Sequence, residues 1–99
     1  MKDVADDAPV ILWFRRDLRL GDHAALTAAV ASGRPVIPVF LHDETVDRLG
    51  AAATWRLAKG IGALAAALEA RGARLILRRG AAREALLRLV AETGATAVH

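Results

Sequence analysis

Five apolar residues in succession, Val10-Ile11-Leu12-Trp13-Phe14, are followed without transition by Arg15-Arg16-Asp17. A short run of this kind, rich in β-branched and aromatic side chains, suits a strand covered on both faces. Strands of that type belong to parallel sheets with helices on either side, and in such sheets ligands bind beyond the carboxyl ends of the strands. The change from apolar to charged residues at Arg15 marks such an end. Function is to be sought there first.

The rest of the chain alternates in kind. Residues 1–8 are polar and acidic and end before Pro9, so they are expected to form a disordered tail, with one domain over 9–99. After the first strand, Asp22 is placed to cap a helix from about His23 to Ser32, with Leu26, Ala29 and Val30 inward and Gly33 as its left-handed stop. Pro35 to Leu41 is the second strand, although Pro38 removes a ladder donor, which suits an edge better than an interior strand. A polar connection from His42 to Gly50 leads into a long helix from about Ala52 to Arg71, striped by Leu57, Ile61, Leu64 and Leu68. Gly60 and Gly62 interrupt that helix at ~1 kcal/mol each against alanine, a cost that points to close packing on the sheet. A third strand over Ala73–Arg78 follows Gly72. A third helix over Arg83–Thr93 then carries Leu86, Leu87 and Val90, and a fourth strand begins at Ala95. The order β-α-β-α-β-α-β calls for a parallel sheet. Because the chain stops within a strand, it reads as the front of a longer protein.

Composition excludes several classes. Ninety-nine residues make one small domain with one modest core, and much of the 55% hydrophobic content is alanine. Without cysteine there is neither a disulfide scaffold nor a thiolate metal site. No apolar run approaches the ~20 residues of a membrane span, and the acidic start is not a signal peptide, so the expected compartment is the cytoplasm. The net charge of +3 understates the basicity of the folded part, since Asp3, Asp6 and Asp7 lie in the tail. Arginine-rich, alanine-rich usage also follows genome composition, and by itself it does not single out an anionic partner.

Few motifs carry chemistry alone. Gly60-Ile-Gly62-Ala-Leu-Ala65 has the letters of a dinucleotide fingerprint, but residues 55–59 before it are already helical, so no free helix N-terminus faces a pyrophosphate. His23, His42 and His99 lack metal-ligand spacing, and no metal site is expected. Asp43, Glu44 and Asp47 read as a solvated loop. Arg15-Arg16-Asp17-Leu18-Arg19 supports two readings: a salt-bridged turn with Leu18 packed inward, or guanidiniums that bind carboxylate or phosphate.

Trp13-Phe14-Arg15-Arg16-Asp17-Leu18-Arg19-Leu20, followed by Asp22 and Ala25-Leu26, resembles the N-terminal signature of the DNA photolyase/cryptochrome family. The similarity extends through Val36-Ile37-Pro38-Val39-Phe40, Asp43, Arg56-Leu57 and Gly72 to Gly80, with His23 where relatives carry Asn or a similar polar residue. The resemblance implies the α/β domain of a light-driven deoxyribodipyrimidine photolyase, with an open Rossmann-like sheet of order 3-2-1-4, helices on both faces and a truncated fourth strand. It also implies a monomer when full length, acting on DNA that contains pyrimidine dimers. FAD and the dimer would be held by a helical C-terminal domain that this stretch lacks. No catalytic residue is therefore expected here, nor repair by this stretch alone, and Trp13 and Trp55 read as core or groove residues. An antenna chromophore (a deazaflavin, a folate or FMN) would lie at the end of the second strand. By resemblance it would be held by Leu41, His42, Asp43 and Arg56, with Phe14 and Arg15 beside it. A cryptochrome photoreceptor shares this domain. A free-standing nucleotide-binding module is the third reading, but it should carry a glycine-rich phosphate loop where this chain has arginines.

Overall fold

The computed structural model describes residues 8–15, 18, 20, 21 and 23–99. Four parallel strands form one sheet in the order β3-β2-β1-β4: β1 (Val10–Phe14), β2 (Val36–His42), β3 (Ile76–Arg79) and β4 (Ala97–Val98). The helices are α1 (Ala24–Ala31), α2 (Glu44–Asp47), α3 (Ala51–Ala70) and α4 (Ala82–Thr93). Val10 pairs with Val36 and with Ala97, so β1 is interior, as its unbroken apolar run requires.

Alternation along the strands sorts the core into two layers. Leu12, Phe14 and Phe40 face α1 and α3 and pack with Leu26, Leu64 and Leu68. Ile11, Val39 and Leu41 face α4 and pack around Leu89. Helices therefore cover both faces. Among the described residues, no helix is long and apolar enough to cross a membrane, and no His/Asp/Glu group could hold a metal ion.

Pro38 lies in an interior strand, contrary to the edge position that proline favours, and the register explains its tolerance. Val10 N–H donates to Pro35 O, and Gly80 N–H donates to His42 O, which fixes the alternation of β2's polar groups between its neighbours. The Pro38 nitrogen thus points toward β3, which begins only at Ile76, opposite Val39. No ladder donor is lost.

Several local expectations are corrected. Asp22 lies outside the described residues; the N-cap of α1 is His23, whose Nδ1 accepts from Leu26 N–H at 3.1 Å. Val30, expected inward, is 63% exposed, and in α4 Leu89 rather than Leu87 is buried. Trp55 lies on the exposed side of α3 with Lys59 Nζ 4.4 Å from its ring centroid, so it is neither core nor groove. A Cβ at Gly60 would come within 3.0 Å of Leu18 Cδ1, so this glycine admits the turn after β1 rather than the sheet. Gly62 meets nothing within 4 Å and has no packing role. Leu18 packs inward as expected. Of the tail expected over 1–8, Ala8 is ordered, its carbonyl accepting from Arg34 Nη1 at 3.4 Å; residues 1–7, with Arg16, Asp17 and Arg19 of the charged turn, lie outside the described residues.

Candidate functional site

The sheet ends in a crevice. A cavity of about 300 Å³ opens at the carboxyl ends of β1 and β2. Trp13 and Arg15 bound it on one side, and Phe40 and Leu41 form its floor. The turn after β2 contributes Asp43, Thr45 and Val46, and α3 contributes Leu57. The walls are thus mainly aromatic and aliphatic, with a few convergent polar groups, as in small-molecule sites generally.

Two local structures fix the polar groups. Arg15 lays its guanidinium over the Trp13 ring, 4.2 Å from the centroid, because residues two apart on an extended chain point to the same side. Asp43 caps α2: its Oδ1 accepts from the N–H of Thr45 at 3.0 Å and of Val46 at 3.4 Å, and from the Thr45 hydroxyl at 2.5 Å. The Thr45 hydroxyl bond is the main cause that holds the Asp43 carboxyl below its ordinary value of 3.8. Partial burial opposes this, while the two N–H bonds and the charge of Arg15 add to it. The carboxylate is therefore ionised and acceptor-only at neutral pH.

A depressed carboxyl pKa stabilises the fold above the unfolded value, and that stability is lost as pH falls through the folded one. Asp43→Ala is expected to cost about 0.5–2 kcal/mol at pH 7 through loss of the cap. In urea melts, the gap to wild type should stay constant down to about pH 3.8 and close below it. A gap unchanged at pH 2 would show that the ionised cap contributes nothing.

The residues named from sequence fall into three groups. Arg15, Leu41 and Asp43 line the crevice. His42 turns to the other side of Phe40 and hydrogen-bonds Asp47 Oδ1 through Nε2 at 2.7 Å, where it lines a second depression. Phe14 is fully buried in the core against His23, and Arg56 is exposed on α3; neither lines the crevice. Trp13, Phe40, Thr45, Val46 and Leu57 line the crevice without having been named from sequence. Strand parity signals the first, since Trp13 and not Phe14 shares a side with Arg15.

An open parallel sheet between helix layers, hollowed at the carboxyl ends of two interior strands, places this chain in the doubly wound α/β class. Within that class, residues 10–99 match the DNA photolyase family, and the chain belongs to it. It is 50% identical over 91 residues to a deoxyribodipyrimidine photo-lyase of Agrobacterium fabrum, covering 92% of this chain and 19% of the relative. Identity is 42% over 92 residues to the Streptomyces griseus deoxyribodipyrimidine photo-lyase, covering 90% and 20%. To Cryptochrome-1 of Arabidopsis thaliana it is 39% over 92 residues, covering 89% and 13%. The structure superposes on a bacterial class III photolyase from Agrobacterium tumefaciens with a TM-score of 0.88 at 49% identity, covering 93% of this chain and 19% of the other. The chain thus spans about a fifth or less of the length of these relatives.

Proposed function

We propose that this chain is the α/β domain of a deoxyribodipyrimidine photolyase and that its crevice holds an antenna chromophore. The whole protein would repair pyrimidine dimers in DNA with light and FAD. The 50% identity to a photolyase, against 39% to a cryptochrome, supports photolyase over photoreceptor. In the family, FAD and the dimer are held by a helical domain beyond the stretch described here.

The crevice fits a planar chromophore. Trp13, Phe40 and Leu57 offer apolar and aromatic contact from more than one side, and Arg15 and Asp43 stand at the edge of the space. The bound group would supply light absorption and pass excitation energy to FAD. The residues of this chain bind and orient it. Trp13, under the Arg15 guanidinium, would set the ring plane, and the ionised Asp43 would accept from a ring N–H. Leu57 and Val46 exclude water.

Titration of the protein with a deazaflavin, FMN and a folate, read by the change in each ligand's own fluorescence, tests the site. Saturable binding of one of them is expected, weakened about tenfold or more in Trp13→Ala through lost ring contact. No binding of any of the three would reduce the domain to a scaffold. Repair is read separately, as loss of thymine dimers from an oligonucleotide under blue light. An FAD-loaded protein that repairs none would favour the photoreceptor reading.

A further inference from the structure

Beside the crevice, across Phe40, the carboxyl end of the sheet carries a second depression of about 270 Å³ between β2, β3 and α3. Phe40, Ile61 and Leu77 give it an apolar lining, and His42, Arg78 and Arg79 supply its polar groups. Phe40 lines both spaces, and Leu57 and Ile61, one turn apart on α3, line one space each. The two depressions therefore adjoin across a single ring.

They differ in charge. In the crevice, Arg15 lies over Trp13 and its charge is felt by the ionised Asp43, so that cation is already matched. Among the described residues no carboxylate lines the second depression, although Asp47 holds His42 from outside it at 2.7 Å. Arg78 is committed to Glu92, Nη2 to Oε2 at 2.9 Å, on the α4 side. Arg79 makes no ion pair among the described residues. Its backbone is well fixed, because it pairs in register with His42 and the next N–H, of Gly80, donates to His42 O at 3.1 Å. Gly80 has φ +127°, so the chain turns sharply away at that point and leaves the end of β3 open.

Size adds a reason for a ligand to use both spaces. A volume of about 300 Å³ is at the lower limit for a small-molecule site, enough for a ring system but not for a ring with a long tail. We propose that Arg79 is the anion anchor of this site: it takes the phosphate or carboxylate tail of a planar ligand whose ring occupies the crevice. The proposal rests on the chromophore reading above. Arg56, named by resemblance among the chromophore contacts, lines neither depression. A guanidinium at a strand end offers the two parallel N–H donors that such a group accepts.

FMN and riboflavin share a ring and differ by one phosphate, which makes them the test pair. Wild-type protein is expected to bind FMN roughly tenfold to a hundredfold more tightly than riboflavin, the range of a charge-assisted contact. In Arg79→Gln that preference should vanish with riboflavin affinity unchanged, and Arg79→Lys should restore part of it. Arg56→Ala should leave both affinities as they were. Thermal melts establish that each variant is folded. Equal affinity for the two flavins in wild type overturns the anchor and leaves the crevice reading intact. So does a preference that survives Arg79→Gln, or one that disappears with Arg56→Ala. Binding of neither flavin overturns the anchor, and it overturns the crevice reading as well when the deazaflavin and the folate also fail to bind.

Discussion

Truncation of Phe14 to alanine is expected to cost about 3–5 kcal/mol, the range for a large aromatic removed from a packed core. Its side chain is 0% exposed and packs with Leu12, Phe40, Leu64 and Leu68 between the sheet and α3. It also meets the His23 ring edge-on, centroids 5.3 Å apart at 72°, and His23 is the N-cap of α1. One ring thus joins the end of β1 to the start of the next helix. A domain of this size has roughly 5–15 kcal/mol of stability in all, so the variant would lose a large part of it. Urea melts should show a lower midpoint with an unchanged slope. Phe14→Leu, which keeps most of the volume, should cost less than about 1.5 kcal/mol. A loss below about 1 kcal/mol in Phe14→Ala would mean that the ring is not packed as described. Flavin affinity in Phe14→Leu separates this role from a ligand contact. It should not change, because Phe14 does not line the crevice.

Where the chain is wholly apolar or strongly punctuated, its structure was legible. The run from Val10 to Phe14 identifies the interior strand, and Gly33, Gly72 and Gly94 (φ +71°, +79° and +73°) end three helices where the sequence suggests. Legibility fails where alanine removes contrast. In α1 the residues Ala24–Ala31 offer apolar positions on every side, so nothing in the sequence says that Val30 faces water. The four-residue α2 has no apolar period, and its one signal is Asp43 followed by Thr45, a capping pattern that also reads as a solvated loop. At the site, the change of composition at Arg15 marks the end of β1, whereas Leu41 and Asp43 are named through the family resemblance. Arg56 is also named through the resemblance, whereas the helix phase that places its neighbour Leu57 over the crevice becomes visible only with the fold.

The same loss of contrast makes α4 the sharper test of the fold. Leu86, Leu87, Leu89 and Val90 are all apolar, and helical spacing alone allows either Leu87 or Leu89 to point at the sheet. In the structure Leu89 is 2% exposed and packs with Ile11, Val39 and Leu41, while Leu87 is 59% exposed. Leu89 is the buried residue of α4, and the α4 side chains packed beside it in that layer, Ala82, Ala85, Leu86 and Val90, are only partly buried. Leu89→Ala is therefore expected to cost about 2–5 kcal/mol, toward the upper end, since alanine neighbours cannot collapse into the space left behind. Leu87→Ala should stay within about 0.5 kcal/mol, because an exposed leucine loses little and alanine is the better helix former. The comparison of the two melts cancels any general effect of shortening a leucine in this helix. A larger loss at Leu87 would mean that α4 is rotated by nearly half a turn. That rotation would uncover Leu41, and with it the floor of the crevice.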